Sequence, residues 1–320
     1  MEPAADEWGG IASTRTIRGR TALGLACVVV IIALITAAAI SKSGDPDLSV
    51  SEAILLGVVE GVTEYLPVSS TAHLAVVEHG LGLTSTVEGQ RAADAYAVII
   101  QIGAIAAVAG LYRARIVDLS TGLLVPRRPL RSPARALVAA FVPAAVIGFA
   151  LGDAIQDRLF AIWPIVAAWA VGGVVLLSPR WTAPWGHRPF ESLNSRDGLI
   201  IGLAQTLALW PGTSRSLVTI LTALAIGFTL SAAVEFSFLL GLITLGAATG
   251  YQLLRDADVI VDQFGIVSTV AGVAAAAITA WAAVRWMVGY LEQHPLTIFG
   301  WYRLGAAAAV GVTALFTNVL

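Results

Sequence analysis

Residues 57–73 read GVVEGVTEYLPVSSTAH and bring carboxylates, hydroxyls and a histidine together inside one apolar stretch. Glu60 and Glu64 come first, and Ser70 and His73 follow. The whole chain is 57% hydrophobic and only 12% charged. Because ionisable groups are costly to remove from water, their concentration in an apolar segment indicates a functional site.

The composition of the chain is typical of an all-α polytopic membrane protein. Its mean hydropathy is +0.82, and apolar runs of about 20 residues recur along it, a length that matches a hydrocarbon core of about 30 Å. The single cysteine, Cys27, lies inside an apolar run, so a disulfide framework and a cysteine metal site are excluded. The basic residues form no nucleic-acid footprint, so we expect no nucleic-acid partner.

Seven apolar runs are long enough, or nearly so, to cross a membrane. They are residues 21–40, 93–112, 136–152, 161–177, 232–254, 265–287 and 300–318. We therefore predict a membrane-embedded domain at residues 51–320 with six core helices. Residues 1–50 would form a cytoplasmic tail, one extra transmembrane helix and a loop, although cleavage near residues 37–39 is an alternative.

The arginines predict the orientation. If the N-terminus is cytoplasmic and every run crosses the membrane, most arginines, including Arg303, fall in inner segments. Arg215 is left out of this count because it lies in an apolar tract. The outer segments receive only Lys42, Arg91, Arg158 and Arg255. This asymmetry is the one that the positive-inside rule predicts for a plasma-membrane protein.

Two further stretches, residues 53–81 and 198–227, are apolar but interrupted by proline and small hydroxyl residues. Such breaks are tolerated at membrane depth only where the freed backbone groups are buried in protein or line a wet cavity. Both stretches are therefore predicted to be re-entrant helix hairpins that enter the membrane and return.

The two stretches also align with each other. Gly57, Glu60 and Pro67 in the first correspond to Gly202, Gln205 and Pro211 in the second. With repeat halves at about 51–178 and 198–320, the fold class predicted is an inverted-topology repeat whose hairpins meet near the midplane. Two unrelated proline-broken segments are the alternative.

Glu60 and Glu64 are four residues apart, so on a helix they share one face with about 6 Å between their Cβ atoms. Two carboxylates this close in an apolar setting either retain a proton or recruit a divalent cation. We predict a Mg²⁺ or Ca²⁺ site at these two residues, with a solvated helix face as the alternative.

Hydroxyl residues follow each proline and can begin the next helix, whose free N–H groups attract anions. Arg215 adds donors suited to a phosphate, with Glu235 as an alternative structural partner. Gln101 lies inside the span that follows the first hairpin and either contacts the site or satisfies a carbonyl at a helix break. The predicted substrate-binding residues are Ser69, Thr71, Gln101, Thr213, Ser214 and Ser216.

Ser70 is the candidate nucleophile, and an unassisted hydroxyl needs a base to activate it. Glu64 and His73 are both near enough in sequence to serve. His73 could equally be a structural group. Direct attack by water, with Ser70 only binding phosphate, is left open.

Four motifs carry a resemblance to a known family. They are EGVTEYLPVSSTAHL at 60–74, VIIQIG at 98–103, ALWPGTSRS at 208–216 and EFSFLL at 235–240. From residue 51 to the C-terminus the chain resembles the undecaprenyl-diphosphate phosphatases of the BacA type, which are associated with bacitracin resistance.

The resemblance implies a divalent-cation-dependent membrane hydrolase that removes the terminal phosphate of a C55 polyprenyl diphosphate. This reaction recycles the lipid carrier of cell-wall synthesis on the outer side of the plasma membrane. The functional positions that it implies are Glu60, Glu64, Ser69, Ser70, Thr71, His73, Ser214 and Arg215.

Two positions depart from the family pattern, which usually has glycine where this chain has Ala72 and Leu217. Because glycine permits close backbone approach or positive φ, we expect these changes to alter the packing of the hairpin tips. Alternative functions are a transporter or flippase for an anionic lipid and a catalytically inactive accessory protein. The expected partners are the lipid substrate and membrane lipids, with a homodimer as an open alternative.

Overall fold

Eleven α-helices make up the part of the chain that the computed structural model describes, residues 48–124, 131–181 and 186–316. They are α1 (Val50–Thr63), α2 (Ser70–Gly80), α3 (Val87–Leu111), α4 (Arg113–Leu124), α5 (Arg131–Leu159), α6 (Ile162–Leu176), α7 (Ser195–Gln205), α8 (Arg215–Ala225), α9 (Leu230–Phe264), α10 (Ile266–Leu291) and α11 (Thr297–Phe316). Short 3₁₀ turns lie at Pro179–Trp181, Phe190–Ser192 and Thr206–Leu209.

Five helices are long and apolar enough to cross a membrane. The crossing segments are Gly89–Leu111, Ser132–Gly152, Leu230–Leu254, Ile266–Leu291 and Thr297–Phe316. These match five of the predicted core spans and confirm a multi-pass membrane protein. The sixth, at residues 161–177, is helical as α6, but its 15 residues make it shorter than a full crossing. The predicted extra helix at residues 21–40 lies outside the described residues.

Large apolar side chains lie on the outer surface of the helices as well as in the core. Phe149, Leu254 and Phe316 are each at least 80% exposed, whereas Trp169 and Tyr65 are fully buried. Outward apolar side chains are what lipid contact requires, and in water they would form aggregation-prone patches.

The first helix of each interrupted stretch begins in the same way. At α1 the Ser49 hydroxyl accepts the backbone N–H of Glu52, whose carboxylate accepts the N–H of Ser49. At α7, Asn194 and Asp197 form the same reciprocal pair. These capping boxes satisfy two of the free N–H groups at each helix start and fix where the helix begins.

Close glycine contacts hold these two helices against their neighbours. α1 packs along α10, and α7 packs along α5. A Cβ on Gly57 would overlap the carbonyl of Gly272, and a Cβ on Gly202 would overlap the carbonyl of Ala140. Small residues at such crossings let helix backbones approach closely, as is typical of membrane helix pairs.

Each interrupted stretch breaks at a serine with an unusual backbone. Ser69 precedes α2 and Ser214 precedes α8, and both have φ of 73°. No other non-glycine residue in the described ranges has positive φ. Because this conformation is strained for a residue with a side chain, its presence at both breaks points to a shared local function.

Two features of the predicted inner side are added or changed by the structure. Residues 113–124, between two predicted spans, form the helix α4. Arg303 was assigned to an inner segment, but its side chain is fully buried, so its inclusion in the charge count was wrong. Its guanidinium is held by backbone carbonyls, which replace the water that a loop arginine would bind.

Candidate active site

The two helix breaks meet at three side chains. The Ser70 hydroxyl at the start of α2 donates to Oε2 of Glu64, which follows the end of α1. Arg215, at the start of α8, donates from Nη2 to Oε1 of the same carboxylate over 3.2 Å. All three side chains are largely shielded from water. A hydroxyl and a guanidinium therefore share one carboxylate across the two stretches.

Arg215 is positioned by its neighbours. Its Nη1 donates to the carbonyl of Ser237 at 2.9 Å, and its guanidinium lies 5.4 Å from the centre of the Tyr65 ring. Its Nε is buried without a partner among the described residues, so the Nε N–H is available to a ligand. The alternative of a structural pair with Glu235 was wrong, because Glu235 pairs with Arg115.

A cavity of about 540 Å³ lies at this junction. Its polar wall includes Glu64, Ser70 and Arg215. Its apolar wall is formed by α5 and α9 and runs to Phe149 and Tyr251, whose rings are 6.2 Å apart. A charged end joined to an apolar extension suits a phosphate group carried on a lipid chain.

Glu60 is buried and does not form part of the cavity wall. It is one turn before Glu64, whose backbone N–H donates to the Glu60 carbonyl at 2.9 Å. Its carboxylate interacts with Gln101, which accepts from Thr249 at 2.9 Å, while Glu60 Oε1 has no partner among the described residues. The predicted pair of carboxylates, Glu60 and Glu64, is thus present, and Oε1 of Glu60 is the oxygen without a partner among the described residues.

The ring of His73 contacts Ser69 and Tyr302. Its Nδ1 lies 2.6 Å from the carbonyl of Ser69 and its Nε2 lies 2.5 Å from the hydroxyl of Tyr302. Because a carbonyl only accepts, Nδ1 carries the proton and Nε2 accepts from Tyr302. Of the two candidate bases, Glu64 contacts Ser70, and His73 instead supports the strained Ser69.

Arg303 links the two breaks through hydrogen bonds and was not predicted from the sequence to be part of the site. It donates to the carbonyl of Pro67 in the first break at 3.3 Å and to that of Gly212 in the second at 2.8 Å. A third bond reaches Ala168 on α6 at 2.8 Å. One buried guanidinium therefore satisfies backbone acceptors that the helix breaks leave free.

The remaining predicted binding residues fall into two groups. Ser69, Thr71, Gln101 and Ser214 line the cavity. Ser216 instead donates to the carbonyl of Leu66 at 2.9 Å and links the two stretches, while Thr213 is not part of the cavity wall.

Ala72 and Leu217 are both accommodated without strain. Each lies in a regular helix and is buried among apolar neighbours, and neither has positive φ. The positive-φ positions are the preceding serines, Ser69 and Ser214. The structure therefore gives no reason for glycine at either place.

Replacing Gly241 by alanine is expected to displace Arg215, because a Cβ there would overlap its guanidinium. Displacing a catalytic group by about 1 Å can lower the rate of a reaction on the order of 100-fold. We therefore expect a loss of that size in kcat/KM for the phosphate release that the sequence resemblance implies. Steady-state kinetics would measure the loss. Gly246→Ala on the same helix is the control, because a Cβ at Gly246 meets nothing within 4 Å, and equal activities would contradict the expectation.

The fold and the site together define a class: a multi-pass helical membrane protein with a hydroxyl, a carboxylate and a guanidinium at the end of an apolar cavity. The chain belongs to the family described as bacitracin resistance protein BacA, whose family model matches residues 53–309.

Curated relatives span the same region. The chain is 39% identical over 265 residues to "Undecaprenyl-diphosphatase 2" of Rhodospirillum rubrum, covering 82% of this chain and 94% of the relative. It is 39% identical over 264 residues to an "Undecaprenyl-diphosphatase" of Sorangium cellulosum, covering 81% and 84%. A third, from Methylibium petroleiphilum, is 36% identical over 280 residues, covering 82% and 94%.

Proposed function

We propose that this protein is an undecaprenyl-diphosphatase, which hydrolyses undecaprenyl diphosphate to the monophosphate and inorganic phosphate. This reaction recycles the lipid carrier of cell-wall synthesis. The observation that carries the proposal is the contact of the Ser70 hydroxyl with Glu64, whose other oxygen accepts from Arg215. These groups supply a nucleophile, a base and an anion-binding cation, and the relatives' names support the same activity.

In the first step, Ser70 Oγ attacks the terminal phosphorus while Glu64 takes the hydroxyl proton. A bond forms between Oγ and phosphorus, and the bond from phosphorus to the bridging oxygen breaks. Glu64 passes its proton to that oxygen, which leaves with undecaprenyl monophosphate. Arg215 Nε and the first N–H groups of α2 and α8 hold the non-bridging oxygens.

In the second step, water attacks the phosphoserine and Glu64 accepts a proton from the water. The bond from phosphorus to Oγ breaks, inorganic phosphate leaves, and the proton returns from Glu64 to Ser70. Glu64 therefore serves as base and then acid in both steps, so one carboxylate held against Ser70 accounts for all the proton transfers.

Glu60 and Glu64 are the residues that would hold a divalent cation, Mg²⁺ or Ca²⁺. Glu60 Oε1 is buried without a partner among the described residues, which fits a ligand oxygen. The described residues contain no group of three or more acidic, histidine or cysteine side chains that could hold a metal, so substrate phosphates would complete the coordination. When bound, the cation would neutralise charge on the diphosphate.

The membrane arrangement proposed is an inverted repeat with halves at about 51–178 and 198–320 and re-entrant hairpins that meet at the site. Matching capping boxes, matching positive φ at Ser69 and Ser214, and an 11-residue helix after each break support it. The arginine distribution, with Arg303 removed, supports a cytoplasmic N-terminus and a site that opens to the outer side.

Phosphate release by the purified protein in detergent tests this function. We expect undecaprenyl diphosphate to lose one phosphate, chelation with EDTA to stop the reaction, and Mg²⁺ or Ca²⁺ to restore it. Arg215→Ala should lower the rate on the order of 1,000-fold, because the guanidinium stabilises charge in the transition state.

A lipid-phosphate transporter is the second candidate, favoured by helices that break beside a cavity. In detergent a transporter would leave the diphosphate intact. Intact undecaprenyl diphosphate after incubation with folded protein and either cation would contradict the hydrolase and favour transport.

A further inference from the structure

Gln205 is a buried polar side chain that the mechanism above does not use. It is 3% exposed, and neither its Nε2 nor its Oε1 has a hydrogen-bond partner among the described residues. A carboxamide offers two N–H donors and an acceptor oxygen, so burying all of them without a partner is unfavourable. Such a group requires an explanation, and a ligand is one.

Gln205 is placed at the site by the second helix break. It is the last residue of α7, and the chain continues as the 3₁₀ turn Thr206–Leu209. Gln205 lies in the wall of the cavity that Glu64, Ser70 and Arg215 also line. Its unsatisfied carboxamide therefore belongs to the same cavity as the groups that would bind the substrate.

The chemistry of Gln205 complements that of the first stretch. It follows Gly202 by three residues, as Glu60 follows Gly57. A carboxylate at this place would repel a diphosphate, whereas a carboxamide can donate to it. The first stretch thus supplies carboxylates, and the second supplies the donors Gln205 and Arg215.

Gln205 is separate from the hydrogen bonds at the candidate nucleophile. It takes no part in the hydrogen bonds among Ser70, Glu64 and Arg215. Its helix, α7, packs along α5, whose Ala144 and Gly148 continue the cavity wall. The carboxamide of Gln205 is therefore available to a phosphate other than the one that Ser70 would attack.

We infer that Gln205 is a substrate-binding residue that donates from Nε2 to the phosphate that stays on the lipid. This inference rests on the proposed function. The contact forms with the bound substrate and persists through the reaction, because that phosphate is not transferred. Removing it therefore raises KM and leaves kcat nearly unchanged.

Gln205→Met is the decisive variant, because methionine keeps the length of the side chain and removes both polar groups. We expect KM for undecaprenyl diphosphate to rise on the order of 10- to 100-fold, as a hydrogen bond to a charged group is lost. The melting temperature of the ligand-free protein should stay equal or rise, because an unsatisfied buried amide is removed.

Gln205→Glu is the charge variant, and its KM should exceed that of Gln205→Met. Two controls accompany these variants. Leu203→Met on the lipid side of the same helix should keep wild-type KM, since Leu203 is 54% exposed. Gln101→Met should lower the melting temperature, since it deprives Thr249 of its acceptor.

A Gln205→Met protein with KM within about twofold of wild type would overturn the inference, as would a lower melting temperature with an equal loss of kcat and kcat/KM. Inorganic pyrophosphate separates this inference from the proposed function. Wild-type protein that releases no phosphate would contradict the hydrolase assignment. If pyrophosphate still raises the melting temperature of that protein, and Gln205→Met abolishes the rise, the phosphate-binding role of Gln205 is supported. If pyrophosphate raises both melting temperatures equally, the inference fails.

Discussion

Glu64→Gln is expected to reduce kcat for phosphate release by about 1,000-fold, a loss within the range that general base catalysis accounts for. The amide keeps the shape of the side chain and can still form hydrogen bonds with Ser70 and Arg215, but it cannot accept the proton of the Ser70 hydroxyl. The protein should therefore fold and bind substrate while failing at the chemical step. Initial rates at saturating undecaprenyl diphosphate measure this loss.

Glu52→Gln is the matched control for the loss of one negative charge. Glu52 lies on the same helix, in the capping box at its start, where glutamine can replace glutamate. We expect the activity of Glu52→Gln to stay near that of wild type. A Glu64→Gln protein that keeps more than a tenth of wild-type kcat would show that Glu64 is not the base.

Arg303→Met is expected to lower both stability and activity, although Arg303 does not line the cavity. Three backbone carbonyls, at Pro67, Ala168 and Gly212, lose a charged donor. Each unsatisfied buried group costs about 1–3 kcal/mol. Since Pro67 and Gly212 belong to the two breaks, their movement should misplace Ser70 and Arg215 and reduce kcat/KM on the order of 100-fold.

Gly172→Ala provides a second route to the same result. A Cβ at Gly172 would overlap the Arg303 guanidinium, so the arginine is displaced without being removed. Arg285→Met is the control, because the Arg285 guanidinium lies 5.0 Å from the Trp281 ring, away from both breaks. Thermal unfolding and kcat/KM measure the effects. Wild-type values in both Arg303→Met and Gly172→Ala would contradict a role in holding the breaks together.

Local sequence chemistry was sufficient to predict the two breaks and the main charged groups. Polar and charged side chains are unusual in an apolar segment because burying them is energetically unfavourable. This is why Glu64, Ser70 and Arg215 could be identified without a structure. Hydropathy was likewise sufficient to locate five long spans, because a membrane helix is defined by composition over about 20 residues.

Long-range contacts could not be predicted in this way. Arg303 is 236 residues from Pro67, and nothing around it in the sequence distinguishes a buried arginine from one at a membrane boundary. The orientation of His73 depends on Tyr302, which is 229 residues away. Gln205 had one signal, its alignment with Glu60 when the two interrupted stretches are compared, and only the structure shows that its carboxamide lacks a partner among the described residues.

The central claim, that Ser70 attacks phosphorus at the junction of the two breaks, is tested most directly by trapping the intermediate. Undecaprenyl diphosphate labelled in its terminal phosphate would be mixed with the enzyme, quenched in acid during turnover, and the digested protein analysed by mass spectrometry. We expect label on Ser70 in wild type and none in Ser70→Ala, which should also lose phosphate release. Normal phosphate release by Ser70→Ala, with no labelled serine in wild type, would contradict the claim and show that water attacks directly.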